Sequence, residues 1–394
     1  MKNYDLKIFT DNVGANAVNQ IYTLLTQPAL DGSRVRIMPD VHVGVGCVVG
    51  FTATMTNKII PNVIGVDIGC GMLIVELGKI EIDFASLDKF IKTKIPSGRA
   101  VREIGGAEDL IKKLRCYNEL RDLKRLFGSL GTLGGGNHFI EIDRDEDDNQ
   151  YLIIHSGSRN LGTQINGIYQ KKAIESCKTF GQSEKTELIE RLKAENRHDE
   201  IADELSRLSG EFADKTKVPN NLCYLEGADM EDYLHDTRIC QEFARLNREK
   251  MATEILKFLG VPRLVGFETI HNFIDEFGVM RKGAVPAHKG QKILIPMNMR
   301  DGCIIATGKG NEDWNKSAPH GAGRLMSRSD AKQRITMDEF TSSMQGIYTT
   351  TVTTATLDES PMAYKPMDEI VTLIEPTAQI EKIIKPVYNF KAGD

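Results

Sequence analysis

The stretch GTLGGGNHFIEI, Gly131–Ile142, places three glycines and an Asn-His pair immediately before a predicted β-strand. Glycine lets the backbone take positive φ and approach a ligand closely, so this turn leaves the backbone open on one side. Four further glycine clusters also lie beside His, Asp, Cys or Arg: Gly44–Gly50, Gly65–Gly71, Gly157–Gly162 and Gly302–Gly323. Turns between strands explain some of these glycines, but the recurring polar neighbours favour binding loops.

Short β-branched runs alternate with these loops and predict strands, several of them buried. They are Cys47–Thr54, Met72–Leu77, Tyr151–His155, Lys292–Pro296, Gly302–Thr307 and Ile347–Thr356. Helical periodicity predicts helices at Ala15–Leu25, Ala107–Leu126 and Glu231–Leu259. Gly260 and Pro262 supply stop signals for the last of these. Residues 171–217 are charged and predict a helical hairpin that stands out from the core with solvated faces.

The chain of 394 residues shows no internal repeat, low-complexity tract or Pro/Ser-rich linker. Its candidate polar residues come from the beginning, middle and end of the chain. We therefore expect an α+β fold in which residues 1–394 form one large mixed α/β domain. Hydrophobic residues make up 41% of the chain, which is enough for a sizeable core.

The charge and cysteine content exclude several classes of protein. The formal net charge is −5, so any nucleic-acid-binding surface must be a local cationic cleft. The seven cysteines form no CxxC pair, which argues against a zinc ribbon or a disulfide framework and fits a reducing cytosol. The sequence has no signal-peptide pattern and no run of 18 apolar residues, so we expect a cytoplasmic protein with no membrane span.

Two motifs place potential metal ligands close together. In the turn GVDIGCG, Asp67 and Cys70 can point at one spot, and a carboxylate with a thiolate is a sensible ligand pair. The alternative is a turn aspartate beside a buried cysteine. After the three glycines, His138 can bind metal, Asn137 can bond a phosphate oxygen and Glu141 can accept from a base edge. The alternative there is a tight turn with a histidine whose ring nitrogens form hydrogen bonds within the protein.

Three further histidines lie at strand ends or in glycine-rich turns. His155 ends a buried strand and is followed by Arg159, whose planar guanidinium suits phosphate, although a surface arginine would look the same. His271 follows a predicted strand and, taken alone, is more often a core histidine. His320 opens the segment HGAGR, where Arg324 follows a glycine turn typical of phosphate sites. An imidazole there can attack phosphorus and form an easily transferred phosphoramidate.

The set of residues is more informative than any single motif. One thiolate and three imidazoles would fill most of two metal coordination spheres, leaving a fourth imidazole as a nucleophile. The sequence contains no GxxxxGK[ST] loop, so phosphate chemistry here would use metal and arginine rather than a P-loop lysine.

These motifs, in this order, resemble the RtcB family of RNA ligases along nearly the whole chain. The matching stretches are MPDVHVGVG (38–46), GVDIGCGM (65–72), GTLGGGNHFIEI (131–142), HSGSRNLG (155–162), RKGA (281–284), HGAGRLMSR (320–328) and PMAYK (361–365). The resemblance implies an RtcB-type fold and a GTP- and manganese-dependent RNA ligase of RNA repair or tRNA splicing. Such a ligase joins 2′,3′-cyclic phosphate or 3′-phosphate ends to 5′-hydroxyl ends through a histidine–GMP intermediate. The resemblance also suggests an activator protein of the archease type as a partner.

The resemblance assigns the metal ligands residue by residue. Asp67, Cys70 and His138 would hold one Mn²⁺, and Cys70 would bridge to a second Mn²⁺ held with His155 and His271. Manganese is implied by the family, because the same Cys, His and Asp ligands would also suit zinc or iron.

The resemblance also assigns the nucleotide and RNA contacts. His320 matches the histidine that becomes guanylylated, and Arg159 and Arg324 match arginines that engage RNA phosphate. The positions implied to bind GTP are Asn137, Phe139, Glu141, Asn298, Gly321, Ala322, Gly323, Ser327 and Lys391. The chain has Met-Asn-Met at 297–299, where many family members have Gly-Ser-Met. Asp40 and His42 lie in a matching motif and are expected near the site.

Two other classes of function compete with the ligase. A two-metal phosphodiesterase or phosphatase would use the same metals and arginines without covalent modification of His320. A non-catalytic RNA-binding or nucleotide-sensing protein is mildly favoured by the pI of about 6.0. The complete set of ligands and the unpaired imidazole argue against such a binder, because binding alone needs no nucleophile.

Overall fold

The computed structural model of the chain describes residues 4–178, 182–263 and 265–392. Its strands are β1 Asp5–Ile8, β2 Arg34–His42, β3 Val49–Thr54, β4 Lys58–Ile59, β5 Gly71–Gly78, β6 Phe139–Arg144, β7 Gln150–Ser156, β8 Leu225–Glu226, β9 Gly266–Ile270, β10 Asn272–Ile274, β11 Val279–Lys282, β12 Ala284–Pro286, β13 Lys292–Asn298, β14 Gly302–Gly308, β15 Ser317–Pro319 and β16 Ala378–Lys391. The α-helices are α1 Ala15–Leu25, α2 Pro61–Ile64, α3 Phe84–Lys94, α4 Glu108–Ile111, α5 Leu123–Gly128, α6 Arg159–Lys178, α7 Gln182–Ala194, α8 Ile201–Lys215, α9 Gly227–Leu259, α10 Arg328–Arg334, α11 Met337–Ser343 and α12 Met367–Leu373. Short 3₁₀ helices cover Pro28–Leu30, Tyr117–Glu119, His198–Glu200, Asn220–Leu222, Glu312–Trp314, Thr354–Glu359 and Pro361–Ala363.

The strands form two large sheets. The seven-stranded sheet has the order β13-β14-β16-β6-β7-β5-β9, and each neighbouring pair in it is antiparallel. The five-stranded sheet has the order β1-β2-β3-β11-β10 and is antiparallel except for the β1–β2 pair. Helices pack against these sheets, so the predicted α+β fold class is confirmed.

One edge of the seven-stranded sheet collects five strand ends. The first residue of β5, Gly71, pairs with both the last residue of β7 and the last residue of β9. Phe139 opens β6 and pairs with His155 of β7, while Lys391 ends β16 and pairs with Phe139. Residues that adjoin these ends therefore lie beside one another despite large separations in sequence. We call this edge the site edge.

Helix α9 packs against the strands that end at the site edge. It has 33 residues and packs against β5, β7, α3 and α6. Its buried residues recur at helical spacing and include Tyr233, Cys240, Phe243, Asn247, Arg248, Met251 and Ile255. The helix ends at Gly260, which the sequence predicted as a stop signal, and its φ of +68° forms a left-handed cap.

The strand predicted at Ile347–Thr356 is wrong. Residues in this segment form turns that lead into the 3₁₀ helix Thr354–Glu359. The threonines of this segment explain the difference, because their hydroxyls form hydrogen bonds to nearby groups that compete with the hydrogen bonds of a strand. The Thr349 and Thr351 hydroxyls are 3.0 Å apart, and Thr353 caps the 3₁₀ helix.

The single helix predicted at Ala107–Leu126 is also wrong. The structure has α4, a 3₁₀ turn and then α5 in this region. The carboxylate of Asp236 accepts hydrogen bonds from the backbone N–H groups of Arg115 and Cys116, at 2.8 and 3.0 Å. These amides therefore do not complete a helical ladder. The other predicted helices and strands agree closely with the structure.

The predicted hairpin at residues 171–217 is present with different bounds. Its arms are α7 and α8, which contact each other, whereas residues 171–178 belong to α6, which has one buried face. Residues 179–181 lie outside the described part of the chain. No helix within the described ranges is long and apolar enough to cross a membrane.

Candidate metal and nucleotide site

The five predicted metal ligands meet at the site edge. The Asp67 carboxylate lies 3.0 Å from Nε2 of His138, and the Cys70 sulfur lies 3.4 Å from Nε2 of both His138 and His155. Nε2 of His155 lies 3.4 Å from Nε2 of His271. The five side chains therefore form a continuous row, which we call the ligand row.

The ring nitrogens of the ligand row are oriented for metal binding. Nδ1 of His138 donates to the Leu133 carbonyl at 2.9 Å, and Nδ1 of His155 donates to the Asn137 carbonyl at 3.1 Å. These bonds leave the Nε2 lone pairs directed into the row. Burial lowers the pKa of His155 and His271 well below the ordinary value, so both rings are neutral. Neutral imidazoles that converge on a thiol and a carboxylate form a donor set for transition-metal ions.

The loop that carries Asp67 and Cys70 is held by its neighbours. Cys70 N–H donates to the Asp67 carbonyl at 3.1 Å, and Asn272 donates its side-chain amide to the same carbonyl at 3.2 Å. Burial would raise the pKa of Asp67, but its contact with His138 outweighs burial and holds the pKa below the ordinary value. Asp67 is thus a carboxylate at neutral pH.

Helix α9 anchors three of the site loops through buried polar side chains. Asn247 accepts from the N–H groups of Gly131 and Thr132 and donates to the Gly157 carbonyl. Arg248 donates to the carbonyls of Gly69 and Ser156 at 2.9 and 2.6 Å and is 0% exposed. Sequence reasoning missed both residues, because in the sequence they look like surface positions of a charged helix.

His320 lies at the end of the ligand row and is oriented by Asp40. Its ring centroid is 4.8 Å from that of His271. Nδ1 of His320 lies 2.6 Å from the Asp40 carboxylate, and the His320 backbone N–H donates to the same oxygen at 3.1 Å. Asp40 is 0% exposed, so the pair is shielded from water on that side. Because Nδ1 contacts Asp40, Nε2 is the nitrogen of this ring that remains available for chemistry, as in histidines that an aspartate orients.

A cavity of about 1080 Å³, which we call the large cavity, adjoins His320 and His155. All nine positions that the family resemblance assigned to GTP line it: Asn137, Phe139, Glu141, Asn298, Gly321, Ala322, Gly323, Ser327 and Lys391. The cavity is large enough for a nucleoside triphosphate. Two of its lining residues are partly engaged elsewhere, since the Asn298 amide donates to Asp301 and Ser327 caps α10.

Buried charged groups form one wall of the large cavity. Asn389 donates its side-chain amide to the Glu141 carboxylate. Burial raises the pKa of Glu141 to about 7, although the Asn389 hydrogen bond and the Lys391 charge oppose the rise. The Lys391 ammonium lies 2.6 Å from Glu359 and 5.6 Å from the centre of the Phe139 ring. A carboxylate, an ammonium and an aromatic face are therefore available to a base and its phosphates.

The two predicted phosphate-binding arginines occupy different places. Arg324 lines the large cavity, but its guanidinium donates to the Asp358 carbonyl at 2.6 Å and to Glu359 and the Tyr364 hydroxyl at 3.2 Å. Most of its donors are thus used by the protein. Arg159 lies outside the large cavity, beside Asp67. Glu359 was not predicted from the sequence, because no short motif marks it.

Comparisons with known proteins agree with this arrangement. A family model described as tRNA-splicing ligase RtcB matches residues 20–115 and 116–392. The chain is 30% identical to RNA-splicing ligase RtcB of Escherichia coli (strain K12), over 94% of this chain and 93% of that protein. It is 26% identical to tRNA-splicing ligase RtcB of Aeropyrum pernix, over 85% of this chain and 82% of that protein.

Proposed function

The chain belongs to the RtcB family, and from this membership we propose that it is an RNA ligase that uses GTP and a histidine–GMP intermediate. Its substrates are RNA ends with a 2′,3′-cyclic phosphate or 3′-phosphate, and RNA ends with a 5′-hydroxyl. The single observation that carries the proposal is the position of His320. This histidine is oriented by Asp40 and lies between the ligand row and a nucleotide-sized cavity.

The ligand row fits two manganese ions. Asp67, Cys70 and His138 would hold one ion, and Cys70, His155 and His271 would hold the other. The fit rests on the donor atoms, because two of the rings donate Nδ1 to backbone carbonyls and direct Nε2 into the row. When bound, such ions supply positive charge that stabilises developing negative charge on phosphate oxygens.

In the first step, Nε2 of His320 attacks the α-phosphorus of GTP. A P–N bond forms, the bond between the α-phosphorus and the oxygen that bridges to the β-phosphate breaks, and pyrophosphate leaves. Asp40 holds Nδ1 through the 2.6 Å contact and stabilises the charge that develops on the ring. In the neutral ring, the hydrogen bond from Nδ1 to Asp40 places the proton on Nδ1 and leaves the lone pair on Nε2 for the attack.

In the second step, an oxygen of the RNA 3′-phosphate attacks the phosphorus of the His320–GMP adduct. The P–N bond breaks, and the RNA end now carries the GMP. The 5′-hydroxyl of the other strand then attacks the RNA phosphorus, loses its proton to solvent and expels GMP. A cyclic end requires prior opening by water to the 3′-phosphate.

Glu141 is proposed to select guanine. A carboxylate accepts from both N1–H and the N2 amino group of guanine, whereas adenine presents an acceptor at N1. Asn389 already donates to Glu141 and fixes its orientation. Lys391, beside Phe139, is proposed to bind the nucleotide through its charge.

The test is labelling with α-³²P-GTP and Mn²⁺ in the absence of RNA. We expect acid-labile label on the protein, lost in His320→Ala and retained in His288→Ala, a control that lies outside the large cavity. A second assay offers RNA with a 2′,3′-cyclic phosphate and RNA with a 5′-hydroxyl, with and without GTP. Removal of the RNA phosphate with no protein label would instead support a two-metal phosphodiesterase or phosphatase.

The cellular role and partners remain predictions from the family. These are RNA repair or tRNA splicing, a cytoplasmic location and an activator of the archease type. Adding an archease-type protein to the ligation assay would test the last of these, because an activator raises the turnover number rather than only the extent of labelling.

A further inference from the structure

A second cavity of about 340 Å³ adjoins the other end of the ligand row, and we call it the arginine cavity. It is lined by Asp67 and by the side chains of Arg99, Arg125 and Arg159. None of its lining residues lines the large cavity. Asp67 and His320 are the two ends of the row of contacts, so the two cavities reach the metal ligands from different sides.

The arginine cavity carries a net positive charge, because its three arginines face a single carboxylate, that of Asp67. None of its three arginines has an ion pair within 4.0 Å in the part of the chain that the structure describes. Two of them donate to backbone carbonyls, Arg125 to Arg99 at 2.6 Å and Arg159 to Gly98 at 3.1 Å. Guanidinium groups held this way keep further donors available for a phosphate.

The backbone around Arg159 is built to hold its guanidinium at this place. Arg159 has a φ of +59°, a left-handed conformation that is costly for a residue with a Cβ atom. A Cβ atom on Gly134 would lie 1.7 Å from Nη1 of Arg159, so the neighbouring turn leaves just enough room for the guanidinium. The left-handed backbone and the close packing of Arg159 together indicate that function requires its guanidinium at this position.

We propose that the arginine cavity binds backbone phosphate of the RNA strand that carries the 3′-phosphate. This proposal rests on the proposed ligase function and adds Arg99 and Arg125 to the RNA-binding residues. Both RNA strands carry backbone phosphodiesters, but only the strand with the 3′-phosphate adds a terminal phosphate charge. That strand is therefore attracted more strongly to the arginines and to the metal ion that Asp67 would help to hold. The RNA end and the nucleotide thus enter from separate cavities and meet at the ligand row.

The test uses the double variant Arg99→Ala with Arg125→Ala and measures two stages of the reaction in separate assays. Protein–GMP labelling requires no RNA, and it reports whether the variant is folded and loaded with metal. The second assay measures transfer of GMP to a 3′-phosphate RNA with no 5′-hydroxyl strand present. We expect the KM for this RNA to rise at least tenfold, with a smaller change in kcat.

Salt dependence gives an independent readout. The slope of log KM for the 3′-phosphate RNA against log salt should fall by about 1.4, that is about 0.7 for each of two lost phosphate contacts on a single strand. The variant Arg144→Ala with Arg238→Ala removes two exposed arginines outside both cavities and should leave the KM and the slope unchanged. Replacement of Arg99 and Arg125 by lysine should restore part of the affinity.

Three outcomes would overturn the proposal. An unchanged KM in the GMP-transfer assay is one, and a change seen only in the KM for the 5′-hydroxyl strand is another. An equal effect in the Arg144 and Arg238 control variant is the third. If the wild-type protein fails to form any GMP adduct, the proposed function fails instead, and the two failures are therefore distinguishable.

Discussion

Removal of the Asp40 carboxylate should slow guanylylation of His320 without removing nucleotide or metal. In the structure, one Asp40 oxygen lies 2.6 Å from Nδ1 of His320 and 3.1 Å from its backbone N–H. The first contact becomes charge-assisted when the ring becomes cationic on attack. A hydrogen bond to a charged group contributes about 1.5–3 kcal/mol, which corresponds to a rate loss of about 10- to 150-fold in Asp40→Ala.

The assay is the single-turnover rate of protein–GMP formation with saturating labelled GTP and Mn²⁺. Asp40→Asn is the matched control, because its carbonyl still accepts from the ring while the charge is lost. We expect its rate to lie between those of the wild type and Asp40→Ala. Asp40→Ala also leaves the backbone N–H of His320 without its acceptor, so some loss of stability, about 1–3 kcal/mol, should accompany the rate loss.

Nucleotide affinity, bound metal and unfolding free energy must be measured for each variant, so that a rate loss can be assigned to the ring. If Asp40→Ala labels His320 within twofold of the wild-type rate while it binds metal and GTP normally, Asp40 does not orient the nucleophile. The proposed role of the 2.6 Å contact would then be refuted.

Three further predictions concern the metals, the base and the charged wall of the large cavity. Cys70→Ala should lose both Mn²⁺ ions in a metal titration, whereas His271→Ala should lose one, because only the Cys70 sulfur contacts rings assigned to both ions. Glu141→Gln should weaken GTP binding about 10- to 100-fold and improve use of ATP, and wild-type affinity for GTP should fall as the pH drops below about 7, where Glu141 becomes protonated. Burial would raise the pKa of Glu359, but the charges of Lys391, Arg328 and Arg324 hold this pKa at about 2. The ionised carboxylate therefore stabilises the fold at pH values above 4.5, the ordinary pKa of a glutamate. That contribution, about 3 kcal/mol, is lost as the pH falls towards 2, so urea unfolding of the wild type and Glu359→Gln should converge over this range.

The sequence predicts which side chains meet in the ligand row because each of them is marked by a local motif. Cys70, His155 and His271 adjoin strands that β-branched runs predict, and antiparallel pairing then brings those strand ends together. The pairing order itself is not visible in the sequence, since β5 lies between two strands that are distant from it along the chain. The family resemblance, rather than a physical derivation, indicated that these residues share one site.

Residues that act through long-range polar contacts were harder to predict. Asn247 lies 115 positions from Thr132 along the chain, and its buried amide bonds are invisible in a charged helical sequence. Glu359 binds Lys391 and Arg324 only because the threonine-rich segment before it turns instead of forming a strand. In both cases the path of the folded backbone determines which groups the side chain contacts, and local sequence propensity does not predict those contacts.

The glycine clusters had two explanations, turns between strands or close approach to functional groups, and the structure distinguishes them at particular positions. Gly157 is not in the left-handed region, so its backbone conformation does not require glycine. A Cβ atom there would lie 2.1 Å from a carboxylate oxygen of Asp67 and would displace this proposed metal ligand. At Gly323 both explanations apply, because its φ of +79° favours glycine and a Cβ atom would lie 2.4 Å from the carbonyl oxygen of Asp40, the residue that contacts Nδ1 of His320. These two glycines are therefore required by the packing of the site, and Gly157→Ala should impair metal binding more than it impairs folding.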